Sequence, residues 1–478
     1  MATTNGNRKI LDLKRWELCS SLPANTGAGH FVASSRHNRQ RQLLVQSNTS
    51  AFLYLPEEDG WNQIPSPALA GTFGAGAAGV AGAWSTGTTV AASSLTATAG
   101  TTQSITTNQT LAVDLRGYKV HILAGPNAGE TKEIASNTIG ANAVVTFTTA
   151  SGSAFSASTV YRLCAPVWYV LGAGTLAAGS FKKYDYATNT WTTLTNTGLA
   201  ATIGTDSKLV STPSWMGSDY LSFATGTASA GGASTLTNSA KNWSTNQWAN
   251  SQVRIVSGTG AGQIRTIASN TATVLTTSAA WTTQPDATSV YNLEGNDDFI
   301  YYFGNNSVIM YRYSISANTW TQLSPAVARA AAASTGMSAN WVWGATESDW
   351  TAENTIRNGK YIYSFRGGTG GSLDRYDISS NSWEAVTYSP ATEGFTTGSK
   401  HTYNGNYIFT QKDATNRWMR FDVTRNEQVG WNSMYYPQGA AVIGDTCFDV
   451  SYKDGATEIV YVYLAINTGT VLLRCMVI

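Results

Sequence analysis

The sequence has 478 residues and a formal net charge of +1, and only 12% of its residues are charged, against about 25% in ordinary soluble domains. This balance argues against a long disordered tail, which needs high charge, and against a generic nucleic-acid-binding module, which needs excess Lys and Arg. Glycine, tryptophan and tyrosine are abundant, with 45, 16 and 23 residues. Because such residues favour turns and aromatic strands, the composition predicts an all-β fold.

The N-terminal residues, the apolar runs and the cysteine spacing further limit the class of protein. Residues 1–9 are polar and predict no signal peptide, and no apolar run approaches the roughly 18–20 residues of a membrane span. We therefore expect a soluble protein that is synthesised in a cytoplasm and has no membrane partner. The cysteines lie far apart, without metal-binding or redox spacing, and are expected to be reduced. They are Cys19, Cys164, Cys447 and Cys475.

The first two predicted elements are a strand and a hairpin. Residues 10–18 look like an outer strand that carries Trp16 but lacks the inner strands that should precede it. The next element is a hairpin with Arg36, Arg39 and Arg41 at its tip. One interpretation is a solvated loop. The other is a contact loop for nucleic acid or an acidic partner, because three arginines create a local positive field.

Further along the chain, a turn motif recurs in which an aromatic residue is followed by a tryptophan. Its strong copies enclose a turn of small polar residues, including Ser, Thr and Asn; they are Tyr184–Trp191, Tyr313–Trp320 and Tyr376–Trp383. Its weaker copies run from Tyr54 to Trp61 and from Phe421 to Trp431, where the turn is three residues longer. A polar turn between two such strands predicts a β-hairpin. These aromatic residues are therefore expected to have a structural role.

The motif resembles the kelch repeat, which builds one four-stranded blade of a β-propeller from a double glycine, a Tyr-Asp turn and a tryptophan. Residues 361–368 form a predicted strand that ends in Gly367 and Gly368, the full double glycine. The strand of residues 299–304 ends in Gly304 alone. The blades are therefore expected to be degenerate copies of the kelch unit.

Residues 84–164 and 222–294 interrupt this repeat and are similar to each other. Each contains Gly-x-x-Ala-Gly, then Ile-Ala-Ser-Asn-Thr and, further on, Val-Tyr. We predict that they are duplicated small β modules inserted into a propeller of residues 1–83, 165–221 and 295–478. Once they are set aside, the tryptophans recur about every 50 residues, as in kelch blades.

The two ends of the chain are complementary. Residues 459–464 and 471–478 are apolar runs that offer inner strands with no tryptophan after them, whereas residues 10–18 offer the missing outer strand. We predict a six-bladed propeller that is closed by pairing of the N- and C-terminal strands, which removes free sheet edges. Rings of five or seven blades are the alternatives. Closure would bring Cys19 and Cys475 near each other, and their disulfide state stays open.

Few residues suggest chemistry. The histidines have no metal-ligand spacing; they are His30, His37, His121 and His401. Adjacent carboxylates occur at residues 57–59 and 297–298, where solvated turns are expected rather than an acid–base pair, which needs unequal environments. No catalytic, cofactor-binding or metal site is predicted, so we expect no cofactor and no enzyme activity.

The combination of a kelch-like ring with Ala-, Thr-, Ser- and Gly-rich β insertions resembles virion proteins of tailed bacteriophages. The resemblance implies a structural protein of the virion tail, with a nozzle-like role in which a ring of six copies forms part of the DNA exit conduit. It implies adaptor and fibre proteins as partners and transient contact with DNA in the lumen. The low charge suits a surface that other subunits cover.

Two other roles compete with the nozzle. A peripheral tail fibre, collar or decoration protein would bind host surface glycans through exposed aromatics of the insertions, such as Trp243, Trp248 and Trp281. The third role is a cellular kelch-type binding protein or an enzyme similar to galactose oxidase. That enzyme needs a copper site of tyrosines, histidines and a Cys linked to Tyr, and none of the cysteines here lies in such a motif.

Overall fold

A computed structural model describes most of the chain. The described residues are 16–23, 31–34, 41–71, 73–87, 94–199, 202–216, 219–220, 222–342, 359–368, 370–387, 394–396, 399–404, 407–412, 418–423, 427–431, 447–454, 457–465 and 470–477. Their regular secondary structure consists of β-strands. Within these ranges no helix has the length and apolar character needed to cross a membrane.

Six of the sheets are antiparallel and four-stranded, and we call them blades 1 to 6 in chain order. Strands are numbered along the chain, from β1 (Trp16–Leu18) onwards. Blade 1 contains β2 (Phe31–Ser34), β3 (Gln42–Val45), β4 (Ala51–Leu55) and β5 (Gly60–Ile64). Blade 2 contains β6 (Ala78–Gly82), β13 (Val167–Leu171), β15 (Phe181–Asp185) and β16 (Thr190–Thr193). Blade 3 contains β18 (Lys208–Ser211), β28 (Phe299–Phe303), β29 (Met310–Ser314) and β30 (Thr319–Gln322).

The other three blades follow the second insertion. Blade 4 contains β31 (Asn340–Val342), β32 (Tyr361–Phe365), β33 (Leu373–Asp377) and β34 (Ser382–Val386). Blade 5 contains β35 (Lys400–Asn404), β36 (Tyr407–Gln411), β37 (Trp418–Asp422) and β38 (Glu427–Trp431). Blade 6 contains β39 (Cys447–Asp454), β40 (Thr457–Ala465) and β41 (Leu472–Val477), and its fourth strand is β1.

The first strands of the blades lie side by side in a closed ring. The neighbouring pairs are β2 with β6, β6 with β18, β18 with β31, β31 with β35, β35 with β39, and β39 with β2. The six-bladed β-propeller predicted from the sequence is therefore confirmed.

The ring is closed within blade 6, where β1 from the N-terminal region pairs with β41. Trp16 lies opposite Cys475 in this antiparallel pair, and the Cys19 amide donates to the Leu472 carbonyl at 2.9 Å. The predicted pairing of the terminal strands is confirmed. Cys19 and Cys475 therefore lie at opposite ends of the short strand pair, and neither takes part in a disulfide.

Each insertion forms a compact β module. Module 1 is a closed barrel of β7 (Leu95–Gly100), β8 (Ser104–Thr107), β9 (Lys119–Ala124), β10 (Thr131–Asn137), β11 (Val144–Phe147) and β12 (Val160–Cys164). Module 2 is a seven-stranded sheet of β21 (Ser222–Thr227), β22 (Ala230–Gly232), β23 (Thr235–Thr237), β24 (Gln252–Ser257), β25 (Ile264–Asn270), β26 (Val274–Thr277) and β27 (Val290–Glu294). These strands lie inside the ranges 84–164 and 222–294 that the sequence assigns to the modules.

The insertion points explain why the two modules meet. Module 1 connects the first two strands of blade 2, β6 and β13, and module 2 connects the first two strands of blade 3, β18 and β28. Because strands alternate in direction, equivalent loops of all blades lie on one face of a propeller. Two insertions at the same loop of adjacent blades are therefore placed side by side.

Two smaller strand pairs accompany the blades. They are β14 (Gly174–Thr175) with β17 (Thr202–Ile203), and β19 (Trp215–Met216) with β20 (Asp219–Tyr220).

The core between blades is aromatic. Phe181 of blade 2 packs edge-on against Tyr313 of blade 3, with ring centroids 4.9 Å apart, and Tyr54 of blade 1 contacts Tyr463 of blade 6 at 5.8 Å.

Candidate functional site

The predicted turn motif forms a hairpin that is locked by a side-chain hydrogen bond in blades 1 to 4. In each hairpin the tyrosine lies opposite the tryptophan, and its hydroxyl donates to a side-chain oxygen inside the turn at 2.6–2.7 Å. The bonded pairs are Tyr54–Asp59, Tyr184–Asn189, Tyr313–Asn318 and Tyr376–Asn381. The accepting residues all have φ near +50°, a left-handed conformation in which Asn and Asp are enriched. The sequence reasoning missed this lock, although the recurring Asn was its visible signal.

The turn tryptophans link consecutive blades. In three blades the indole Nε1 donates to a backbone carbonyl just beyond the tryptophan of the preceding blade. The bonds are Trp61 to Ser20 (3.3 Å), Trp191 to Pro65 (2.8 Å) and Trp320 to Thr195 (3.1 Å). In blade 4 the equivalent carbonyl, that of Ser324, accepts from Asn381 Nδ2 at 2.9 Å instead. The motif therefore serves both its own hairpin and the junction with the previous blade.

Blade 5 departs from the prediction for Trp431. In its hairpin Phe421 lies opposite Gln428, and Trp431 lies opposite Trp418. The turn has the same length as in the other blades, so Gln428 takes the position that Trp occupies elsewhere. The prediction that Trp431 is the turn tryptophan is wrong. It assumed a turn lengthened by three residues, but the strand register gives blade 5 a turn of the usual length.

Blade 3 lacks the aspartate that ends the third strand in blades 2 and 4. In blade 4 Asp377 accepts hydrogen bonds from the Ser379 amide and hydroxyl at 2.8 and 2.6 Å. Blade 3 has Ser314 at this position, and Asp298 from the preceding strand connection supplies the carboxylate. Asp298 accepts from the Ser314 hydroxyl and the Ser316 amide, both at 2.6 Å. Asp298 thus stabilises the turn of its own blade.

Asp297, next to Asp298, contacts both modules and blade 3. Its carboxylate is 3.0 Å from an Arg162 guanidinium nitrogen of module 1 and accepts from Gln252 Nε2 of module 2 at 3.3 Å. It also accepts from the amide and hydroxyl of Ser214, which follows β18, at 2.5 and 2.6 Å. The Asp297 residue is only 6% exposed. The expectation of solvated turn carboxylates at 297–298 is therefore wrong for Asp297, and we call this group of contacts the Asp297 junction.

A second buried ion pair lies beside the Asp297 junction. Arg254 of β24 donates from Nε and a terminal nitrogen to Glu294 Oε1, at 2.9 and 2.6 Å. Burial raises the pKa of Glu294, and Arg254 opposes that shift. Removing one member of such a pair destabilises the fold, because it leaves an uncompensated buried charge.

The electrostatics of this region keep His121 neutral. Its ring lies in β9 and bonds Thr131 Oγ1 through Nδ1 at 2.8 Å. Burial lowers its pKa well below 6.5, and the positive charges of Arg254, Arg162 and Lys119 lower it further. Burial also raises the pKa of the nearby Cys164 thiol, so this cysteine lacks the thiolate character of a nucleophile.

The described histidine, acidic and cysteine side chains show no metal site. His401 contacts Thr410 and the Gly336 carbonyl, whereas His30 and His37 lie outside the described residues. In the part of the chain that is described, no group of three His, Cys, Asp or Glu side chains is arranged to hold a metal ion.

Among the three arginines of the predicted contact loop, the structure describes Arg41, which contacts module 1. Arg41 Nε donates to the Tyr118 hydroxyl at 3.3 Å, and its guanidinium lies 4.8 Å from the centre of the Tyr186 ring. Arg36 and Arg39 lie outside the described residues. For Arg41 the contact is internal, because it joins blade 1 to module 1 and to the turn of blade 2.

The tryptophans proposed as a glycan platform lie in the core of module 2. Trp243, Trp248 and Trp281 are 9%, 3% and 7% exposed, and all three belong to one buried apolar cluster. The Trp281 indole donates to the Thr235 carbonyl at 3.2 Å. The expectation that they form an exposed sugar-binding surface is wrong, because a small module needs large aromatic side chains to fill its interior.

Comparison with known proteins gives similarity of fold only. No family model and no curated protein matches the sequence. Among solved structures, the chain is similar to a fucose-specific lectin from Aleuria aurantia, with 10% identity over 95% of this chain and 94% of the lectin and a TM-score of 0.39. It is also similar to a chain of the mitotic checkpoint complex, with 8% identity over 97% of this chain and 91% of that one and a TM-score of 0.36. What the chain does must therefore follow from its own residues.

Proposed function

We propose that this chain is a structural protein of a tailed-bacteriophage virion, in which copies assemble into a nozzle-like ring at the tail. The observation that carries the proposal is the Asp297 junction. One buried carboxylate holds module 1, module 2 and blade 3 together. A propeller whose two insertions are fixed in this way presents them in one orientation, as a subunit of a symmetric assembly requires.

The composition fits this role. A small charged fraction, 12% of the residues, gives weak like-charge repulsion between copies that lie in contact. In the nozzle the modules would contact neighbouring copies, the adaptor or the fibres, and DNA would pass through the lumen of the assembled ring. The chain itself is expected to act without a cofactor and without catalysis.

The competing role is a peripheral fibre or collar protein that binds glycans. Because Trp243, Trp248 and Trp281 are buried, such a protein would need a sugar site built from other residues. The two roles also differ in stoichiometry, since a nozzle is a ring of six copies and a fibre is a trimer.

The test combines the mass of the purified full chain with the protein content of virions. Light scattering after size exclusion should give a hexamer, or a monomer that becomes a hexamer with its tail partners, and mass spectrometry should find the chain in purified particles. Trimers would favour the fibre role. A monomer that is absent from particles and turns over a sugar or an alcohol would overturn the proposal.

A further inference from the structure

The repeated Gly-x-x-Ala-Gly segments of the two modules lie against each other. In module 1 the segment is the turn between β9 and β10, and in module 2 it is the turn between β24 and β25. A Cβ atom placed on Gly129 would lie 2.6 Å from the Val256 carbonyl oxygen and 3.1 Å from the Ala261 Cβ. The last glycine of the module 1 motif therefore leaves room for the backbone of module 2.

The reverse contact is made by the equivalent residues. A Cβ atom on Gly262 would lie 2.6 Å from the Leu123 carbonyl carbon. Gly262 is the module 2 counterpart of Gly129, and Leu123 is the module 1 counterpart of Val256. Contact of residue i with j and of j with i is the mark of an isologous, two-fold interface. The modules thus pack as a two-fold pair inside a single chain.

A second pair of counterparts supports the same axis. His121 of β9 corresponds in the repeat to Arg254 of β24, and both side chains are buried. The charge of Arg254 acts on His121 across the two modules and contributes to its lowered pKa. The matching positions of β9 and β24 thus interact electrostatically between the two modules.

We infer that the inserted unit is a homotypic pairing module: the face formed by its Gly-x-x-Ala-Gly hairpin binds the same face of a second unit of the same kind. In this chain the partner of module 1 is module 2. This inference does not depend on the virion role, and it explains why the insertion is duplicated and why the copies are in adjacent blades. An isolated copy would leave an uncovered backbone surface at the hairpin.

The two-fold relation can be tested by disulfide trapping in the full chain. Gly129→Cys with Ala261→Cys places two Cβ atoms about 3.1 Å apart, within a small shift of disulfide geometry. The mirror pair, Ala128→Cys with Gly262→Cys, should link equally well if the interface is two-fold. Gly152→Cys with Ala261→Cys is the control, because a Cβ on Gly152 meets nothing within 4 Å.

The readout is mass spectrometry of the oxidised protein after trypsin digestion. Cleavage after Lys119, Lys132, Arg254 and Arg265 releases peptides 120–132 and 255–265, which contain no native cysteine. Both test pairs should give these two peptides joined by a disulfide, and the control should not. Linkage of the first pair without the mirror pair, or of neither in variants that unfold cooperatively like the natural chain, would overturn the inference.

A milder pair of variants checks the same surface if the cysteine variants fold poorly. Gly129 and Gly140 both have positive φ, +91° and +114°, but a Cβ on Gly140 meets nothing within 4 Å. Gly129→Ala should therefore lower the unfolding temperature of the chain more than Gly140→Ala does. Equal shifts, or a larger shift for Gly140→Ala, would contradict pairing through this hairpin.

Discussion

The blade turns are held by local contacts, whereas the Asp297 junction is held by contacts between distant segments of the chain. The turns use short-range bonds that recur from blade to blade, such as the Tyr313–Asn318 lock. The junction occurs once and uses a buried charge, Asp297, with donors from segments far apart in the chain. The ring is thus stabilised by many similar contacts, whereas one buried carboxylate contacts both modules and blade 3 together.

The largest effect should come from removing that carboxylate. Asp297→Ala removes the buried carboxylate that Arg162, Ser214 and Gln252 contact, and loss of one member of a buried ion pair costs about 3–5 kcal/mol. We expect a drop of this size in the free energy of unfolding, measured by urea titration. Glu133→Ala is the control, because Glu133 is exposed on module 1 and its truncation should change little. A loss below about 1 kcal/mol for Asp297→Ala would show that the junction is not the main attachment.

The carboxylate of blade 3 offers a rescue experiment. Asp298→Ala removes the acceptor of Ser314 and Ser316, and unsatisfied donors of this kind cost about 1–3 kcal/mol. The double variant Asp298→Ala/Ser314→Asp gives blade 3 the aspartate that blades 2 and 4 have. It should recover most of the loss in thermal unfolding experiments. Failure of the rescue would mean that Asp298 acts outside the turn.

Acid should destabilise the region around the junction through His121. Its pKa is lowered in the folded chain, so the unfolded chain binds the proton more readily once the pH falls below about 6.5. The contribution of neutral His121 to the free energy of unfolding is therefore fully present above that pH. It decreases below that pH, by at most about 1.4 kcal/mol per pH unit. Urea titrations at pH 7.0 and 5.5 should show this decrease in the natural chain and a smaller one in His121→Gln. Identical decreases would rule out His121 as the titrating group.

The smallest expected effect is the difference in stability cost between substitutions of two turn tryptophans, Trp320 and Trp383. Trp320 donates its indole hydrogen to the Thr195 carbonyl, whereas the Trp383 indole nitrogen has no partner among the described residues. Substitution of either by Phe removes the same volume. Trp320→Phe should cost about 1 kcal/mol more than Trp383→Phe in unfolding free energy, because only the first loses a hydrogen bond. Equal costs would mean that this bond between blades adds nothing.

The sequence predicted the parts of the molecule that repeat. Tyrosine and tryptophan at a fixed spacing identify hairpins because strand register and turn length are local properties, and complementary ends imply closure of the ring. The prediction failed at Trp431, which is ten residues after Phe421, because the strand register places Gln428 opposite Phe421.

The junction could not be predicted because nothing in the local sequence distinguishes it. Asp297 and Asp298 are adjacent carboxylates in a connection, and such residues are usually solvated. One is buried only because two modules, inserted far away in the chain, converge on it. Likewise, Trp243 and its neighbours gave no local sign of whether they face solvent or the interior of module 2.

The proposed role makes the chain a structural subunit of a phage tail, and the location of the chain in the particle tests that role most directly. Gold-labelled antibodies against the purified chain, applied to intact virions and viewed by electron microscopy, should decorate the tail end of the particles and leave the capsid unlabelled. Particles without label, with the chain recovered only from the soluble fraction of the lysate, would contradict the account.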